Sequence, residues 1–217
     1  MSLTDLMRTG LPLSRQERFY THTVLPMIVC AHDFRELGVL TRLIPGCELP
    51  HIDANPYTTN IQFFTEYSLV DSIAGRRTET RFPDPPNTEV QPKLMILATG
   101  DRTVLVAIAA LFYHQPPLET LVRRLQSQRV QLDYLREQLQ IDSVHHAALL
   151  PAAYATTIGS TAIDLDEDDC PIITWEGLLA AYRRMRSGDD YFMAVLDLAL
   201  ERREQSHPLL PIDDLEW

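Results

Sequence analysis

The chain has a single lysine, Lys93, in 217 residues. It has three cysteines, Cys30, Cys47 and Cys170, an odd number without metal-ligand spacing. That pattern points away from a disulfide framework and toward reduced thiols. No apolar run approaches the roughly 18 to 20 residues that span a bilayer, so no membrane partner is expected. The opening segment, MSLTDLMRTGLPLSRQERFY, lacks the basic-then-apolar order of a secretion signal. Together these absences predict a cytoplasmic protein. A Ser-His-Asp arrangement, a phosphate-cradling glycine loop and a zinc spacing are also missing, which removes three common routes to enzymatic chemistry.

What is present describes a globular domain. Hydrophobic residues make up 45% and charged residues 23%, ordinary values for a chain that buries one core. A length of 217 residues suits one well-packed domain, with residues 1–58 as a helical extension, 60–180 as the core and 181–217 as a helical end. The net charge of −11 disfavours gripping a phosphate backbone by charge alone. Arginine pairs at Arg76-Arg77, Arg123-Arg124, Arg183-Arg184 and Arg202-Arg203 leave room for a local basic patch.

The pattern of elements reads as follows. Residues 13–44 show helical spacing in Phe19, Val24, Leu25, Ile28 and Val29, then in Phe34, Leu37, Leu40 and Leu43. Pro26 predicts a kink in the first helix, and Pro45-Gly46 a stop for the second. IQFFTEYSLVDSIAG is ambiguous, but Phe64, Leu69 and Ile73 suit a helix packed on a sheet. RRTETRFPDPPNTEVQP is a proline-rich loop. KLMILAT and TVLVAIAALF then read as two strands joined by the tight turn GDR.

A long amphipathic helix follows over about 118–139, with Leu118, Leu121, Val122, Leu125, Leu132, Leu135 and Leu139 on its inner face. DSVHHAALLPA is a further strand, completing a β-α-β crossover. The acidic break STAIDLDEDDC precedes a short strand, PIITW, and two closing helices. The expected class is α/β, a mixed central sheet flanked by helices.

The stretch QPKLMILATGDRTVLVAIAALFYHQP, with its hairpin and outgoing helix, resembles the PD-(D/E)XK restriction-endonuclease-like superfamily. The resemblance rests on element order and hydrophobic pattern and covers roughly residues 60–180. It implies a restriction-endonuclease-like core: an N-terminal helix, a hairpin bearing the catalytic residues, a helix and a further strand. It also implies Mg²⁺-assisted phosphodiester hydrolysis, in which carboxylates hold the metal and a lysine orients the attacking water. Placed residue by residue, Glu66 matches the helix-borne glutamate of that family. Lys93 follows Pro92 where aspartate is expected, Ala109 takes the acidic position and Leu111 the lysine position. A lone carboxylate holds Mg²⁺ poorly, and a lysine beside it opposes a cation.

The resemblance therefore implies a silent nuclease fold, without cofactor, that binds a protein in a prokaryotic defence or DNA-processing assembly. DNA and a second copy of the chain are further candidate partners. The alternative is a Mg²⁺-dependent DNA endonuclease whose catalytic residues have been replaced. His114, Gln126 and Gln128 are the candidate nucleic-acid contacts, each with a plain reading as a loop or helix-surface residue. His145 and His146 alternate across a strand and so face opposite sides. The acidic run 164–169 lacks the glycine and distal glutamate of a calcium loop and reads as a solvated turn.

Overall fold

The structure, a computed structural model, describes residues 16–50, 60–69, 86, 90–166, 168–186 and 190–205. Most of the proline-rich loop, and residues 70–75 of the segment expected to be helical, lie outside the described residues.

Six strands form one mixed sheet. They are β1 (Ile61–Thr65), β2 (Leu94–Thr99), β3 (Thr103–Ala110), β4 (Ser143–Leu150), β5 (Ala162–Asp164) and β6 (Asp169–Thr174). The spatial order is β1-β2-β3-β4-β6-β5. β1–β2 and β2–β3 are antiparallel, β3–β4 and β4–β6 parallel, and β5–β6 antiparallel. The β2–β3 hairpin turns at Gly100-Asp101-Arg102, where the Gly100 N–H donates to the Arg102 carbonyl at 3.0 Å.

Side chains alternate across these strands and so split the core in two. On one face Leu94, Ile96, Val104, Val106, Ile108, Ala110, Ala147 and Leu149 meet the N-terminal and C-terminal helices. On the other, Met95, Leu105 and Ala107 pack on Leu132 and Leu135, while Ala109, Ala148 and Leu150 pack on Leu121 and Leu125. The result is three layers, helices over both faces of a sheet. The α/β class expected from the pattern is the class observed.

The N-terminal layer runs through α1 (Glu17–Phe19), a π-helical turn (Tyr20–Val24) and α2 (Leu25–Val29), then α3 (Leu37–Thr41). Pro26 lies in the first turn of α2, directly after the wide turn. Proline has no N–H to return to the carbonyl four residues back, and a π-type turn takes up that defect without ending the helix. Between α2 and α3, His32, Asp33 and Phe34 all have positive φ.

The helix α4 (Leu118–Leu139) links β3 to β4 and makes the crossover right where the sequence places it. Its inner face differs at particular positions. Leu118 and Leu139 are exposed, whereas Gln128 and Gln131 are buried. Two short elements went unanticipated: α5 (Ala152–Ile158), bounded by Pro151 and by Gly159 at φ 72°, and the strand β5. The closing helices α6 (Trp175–Met185) and α7 (Tyr191–Gln205) stand where expected.

The segment at 61–65 is a correction. It is a strand, not a helix, and pairs along its whole length with β2. Ile, Phe and Thr in a short run fit a half-exposed pleated surface, and pairing with β2 outweighs a weak helical spacing. Glu66 is therefore borne by a strand end rather than by a helix. Among the described residues, no helix is long and apolar enough to cross a membrane.

Candidate functional site at the carboxyl edge of the sheet

β1, β3, β4 and β6 run in one direction, so Glu66, Leu111, Pro151 and Trp175 follow their carboxyl ends along one edge. β2 runs the other way and brings its first residue, Leu94, and the preceding Lys93 to that same edge. In open α/β sheets this is the edge where ligands bind.

Glu66 is the centre of a charged cluster here. Arg18 Nη2 donates to Glu66 Oε2 at 2.9 Å. His22 Nε2 lies 2.6 Å and Lys93 Nζ 3.7 Å from Glu66 Oε1. Arg18 and His22 are four apart and share one helical face, which presents both to the strand end. The side chains grade from water inward: Arg18 is 74% exposed, Glu66 35%, Lys93 21% and His22 10%. Glu66 adopts the left-handed backbone region at φ 50°, unusual for a residue without a short polar side chain.

Burial lowers the pKa of Lys93 from the ordinary lysine value, with Glu66 and Glu17 opposing the shift. Burial and the neighbouring Lys93 charge likewise lower that of His22, against the pull of Glu66. The His22 Nδ1 atom sits 2.8 Å from Thr21 Oγ1 and 3.1 Å from the Arg18 carbonyl. The Nε2 approach to Glu66 lacks the direction of a hydrogen bond despite its short distance.

Glu17 forms the second feature. Its buried carboxylate accepts the backbone N–H groups of Phe112, of Tyr113 at 2.6 Å and of His114 at 3.3 Å. Three successive amides aimed at one carboxylate form an anion-binding concavity, filled here from within the chain. Aromatic packing holds the same corner. Tyr20 stacks on Phe112 with ring centroids 4.0 Å apart, and Trp175 meets Phe112 edge-on at 5.1 Å. The Trp175 indole N–H donates to the Leu111 carbonyl at 2.7 Å.

Of the four positions taken from the nuclease motif, the structure brings two together, Glu66 and Lys93. Ala109 and Leu111 pack against Leu121, Leu125 and Tyr154 on the face covered by α4. His114 is exposed, and its backbone N–H is held by Glu17. Gln126 donates to Asp166 Oδ2 at 2.8 Å and so anchors the acidic turn.

Gln128 is a correction, because it does not lie on the helix surface. It is 4% exposed, donates to the Gln91 carbonyl at 3.0 Å and lies 2.9 Å from His146 Nε2. Burial there excludes it from any nucleic-acid contact. His145 and His146 do face opposite sides, and only His146 is buried. Within the acidic run, Asp164 and Asp169 pair across β5 and β6, and Asp168 lies 2.6 Å from Arg129.

Sequence reasoning missed Glu17, Arg18 and His22, which stood in a segment read as an extension. The legible signal was the four-residue spacing of Arg18 and His22. Chemically, the cluster suits an anion. Glu66 is already neutralised by Arg18 and Lys93, and a carboxylate so compensated is a poor ligand for a further cation. Among the described residues, no group of three or more His, Cys, Asp or Glu side chains is placed to hold a metal ion. No protein-family model, curated protein or solved structure matches the chain.

Proposed function

We propose that this chain is a catalytically silent protein of the PD-(D/E)XK restriction-endonuclease-like kind, acting by binding. Its partner is a protein, alone or together with DNA, in a prokaryotic defence or DNA-processing assembly. The order of N-terminal helices, β2–β3 hairpin, α4 and parallel β4 is the order that the resemblance implies and supports this reading.

One observation carries the silence. Where the resemblance calls for metal-binding carboxylates, Lys93 places an ammonium 3.7 Å from the one remaining acid, Glu66. Ala109 and Leu111 offer no donor and are packed among apolar side chains. Mg²⁺ needs near-octahedral oxygen ligation and at least one or two carboxylates, and it is not drawn to a site already holding positive charge.

Plasmid cleavage in Mg²⁺ and in Mn²⁺ tests the reading. The expected result is an uncut plasmid with the native chain. Cleavage that disappears in Glu66→Gln would overturn the silent assignment. A second arm carries Lys93→Asp, Ala109→Glu and Leu111→Lys together, with circular dichroism to establish folding. Gain of metal-dependent cleavage supports the residue-by-residue match, whereas a folded and silent triple variant counts against it.

A further inference from the structure

We infer that the carboxyl edge of the sheet is a carboxylate-binding site for an acidic segment of a partner protein, held closed by the chain's own Glu66. The inference rests on the reading that this edge binds rather than cleaves, and it names the chemistry of the partner.

Three basic side chains from two separate elements converge on one carboxylate. Arg18 and His22 come from the N-terminal helical segment, and Lys93 precedes β2. Lys93 is the chain's single lysine, and it is spent here. The site therefore has the shape and charge for a side-chain carboxylate, and a carboxylate is what it holds.

Glu66 holds that place on weak terms. Its left-handed backbone, φ 50°, is a conformation that disfavours a residue with a Cβ and no short polar side chain. It lies one residue beyond the paired part of β1, so its side chain can leave without breaking a ladder hydrogen bond. Arg18, mostly in water, marks the side from which a competing carboxylate enters. Glu17 is different in kind: it is buried against three backbone N–H groups, so it seals the loop and stays.

Charge selects between protein and nucleic acid. A phosphate backbone demands repeated cationic contacts along its length, which one compact cluster on a chain of net charge −11 does not supply. A single compact cluster fits one acidic side chain with its immediate neighbours. Complementary charge of this kind sets specificity and the rate of encounter.

The test uses fluorescently labelled hexaglutamate, with hexaglutamine and a duplex oligonucleotide as the other arms, read by anisotropy at low salt. Glu66→Gln vacates the charge and is expected to bind hexaglutamate about tenfold more tightly than the native chain. Hexaglutamine is expected not to bind either protein. Arg18→Gln, at an exposed position that does not threaten folding, is expected to weaken the native chain's binding.

A folded Glu66→Gln no tighter than native, or an Arg18→Gln indistinguishable from native, would sink the inference. Duplex DNA bound in preference to hexaglutamate would overturn it in favour of a nucleic-acid ligand. Catalytic silence is read separately from plasmid cleavage, so either conclusion can fall without the other.

Discussion

Glu17 and Tyr113 stand 96 positions apart in the chain and 2.6 Å apart in space, the Tyr113 N–H donating to the Glu17 carboxylate. With the N–H groups of Phe112 and His114, this bond fastens the first helical turn to the loop that follows β3. Glu17→Gln keeps the size but sets an amide NH₂ against backbone donors. Hydrogen bonds to a buried charged group are worth about 1.5–3 kcal/mol each, and unpaired donors add cost. A loss of about 2–4 kcal/mol in urea denaturation is expected on that basis. A change within experimental error would show that aromatic packing alone holds the corner.

The buried pair Gln128–His146 gives a pH dependence with a definite sign. Burial, helped by Arg129, pushes the pKa of His146 down to about 3. The native state thus refuses a proton that the unfolded chain accepts near 6.5, so stability is complete above that value and falls as pH drops toward 3. At pH 5 this one group costs about 2 kcal/mol relative to pH 7.5. Burial shifts His22 and His145 in the same direction. The drop in the urea midpoint between pH 7.5 and 5 should be smaller in His146→Gln than in the native chain. Equal drops would locate the acid sensitivity elsewhere.

Gln140 ends α4 in the left-handed region, φ 53°, and is exposed. Glycine adopts this conformation without the Cβ penalty of about 1–2 kcal/mol, offset in part by its greater freedom when unfolded. Gln140→Gly is expected to gain about 0.5–1 kcal/mol, seen as a higher thermal midpoint. A lower midpoint would mean that the Gln140 side chain matters more than its backbone.

Arg186 is the most enclosed cation in the described ion pairs, its side chain 6% exposed. It bonds Glu36 at 2.5 Å, Asp190 at 2.9 Å and the Ile28 carbonyl at 2.6 Å, joining both ends of the helical layer. Removing one partner of such a network strands the others, at a typical cost of about 3–5 kcal/mol. Arg186→Met should show that loss in denaturant. Arg186→Lys should rescue little of it, because one ammonium cannot reproduce the fork of a guanidinium.

The legible parts of the fold were those where hydrophobic spacing and turn chemistry agreed. The β2–β3 hairpin around Gly100-Asp101, the crossover through α4 and the burial of β4 all follow from apolar runs of the right length and period. Gln128 was misplaced because its identity outweighed its position. The series 121, 125, 128, 132, 135 alternates steps of four and three, so geometry turned the glutamine inward. β1 failed for the opposite reason. IQFFT gains its identity from pairing with β2, a partner almost thirty residues away. The charged cluster was harder still, since Arg18, His22, Glu66 and Lys93 share no local pattern and meet only when three chain segments converge.

The solitude of Lys93 has a practical side. A lysyl-specific endoprotease has one peptide bond to attack, between Lys93 and Leu94, where β2 begins. That bond is sheltered at the sheet edge, and cutting it separates β1 and the N-terminal helices from the rest of the sheet. Digestion therefore reduces to a two-fragment event whose rate reports opening of this one corner. An occupant that settles over Glu66 would slow the cut, making a single gel band a gauge of occupancy.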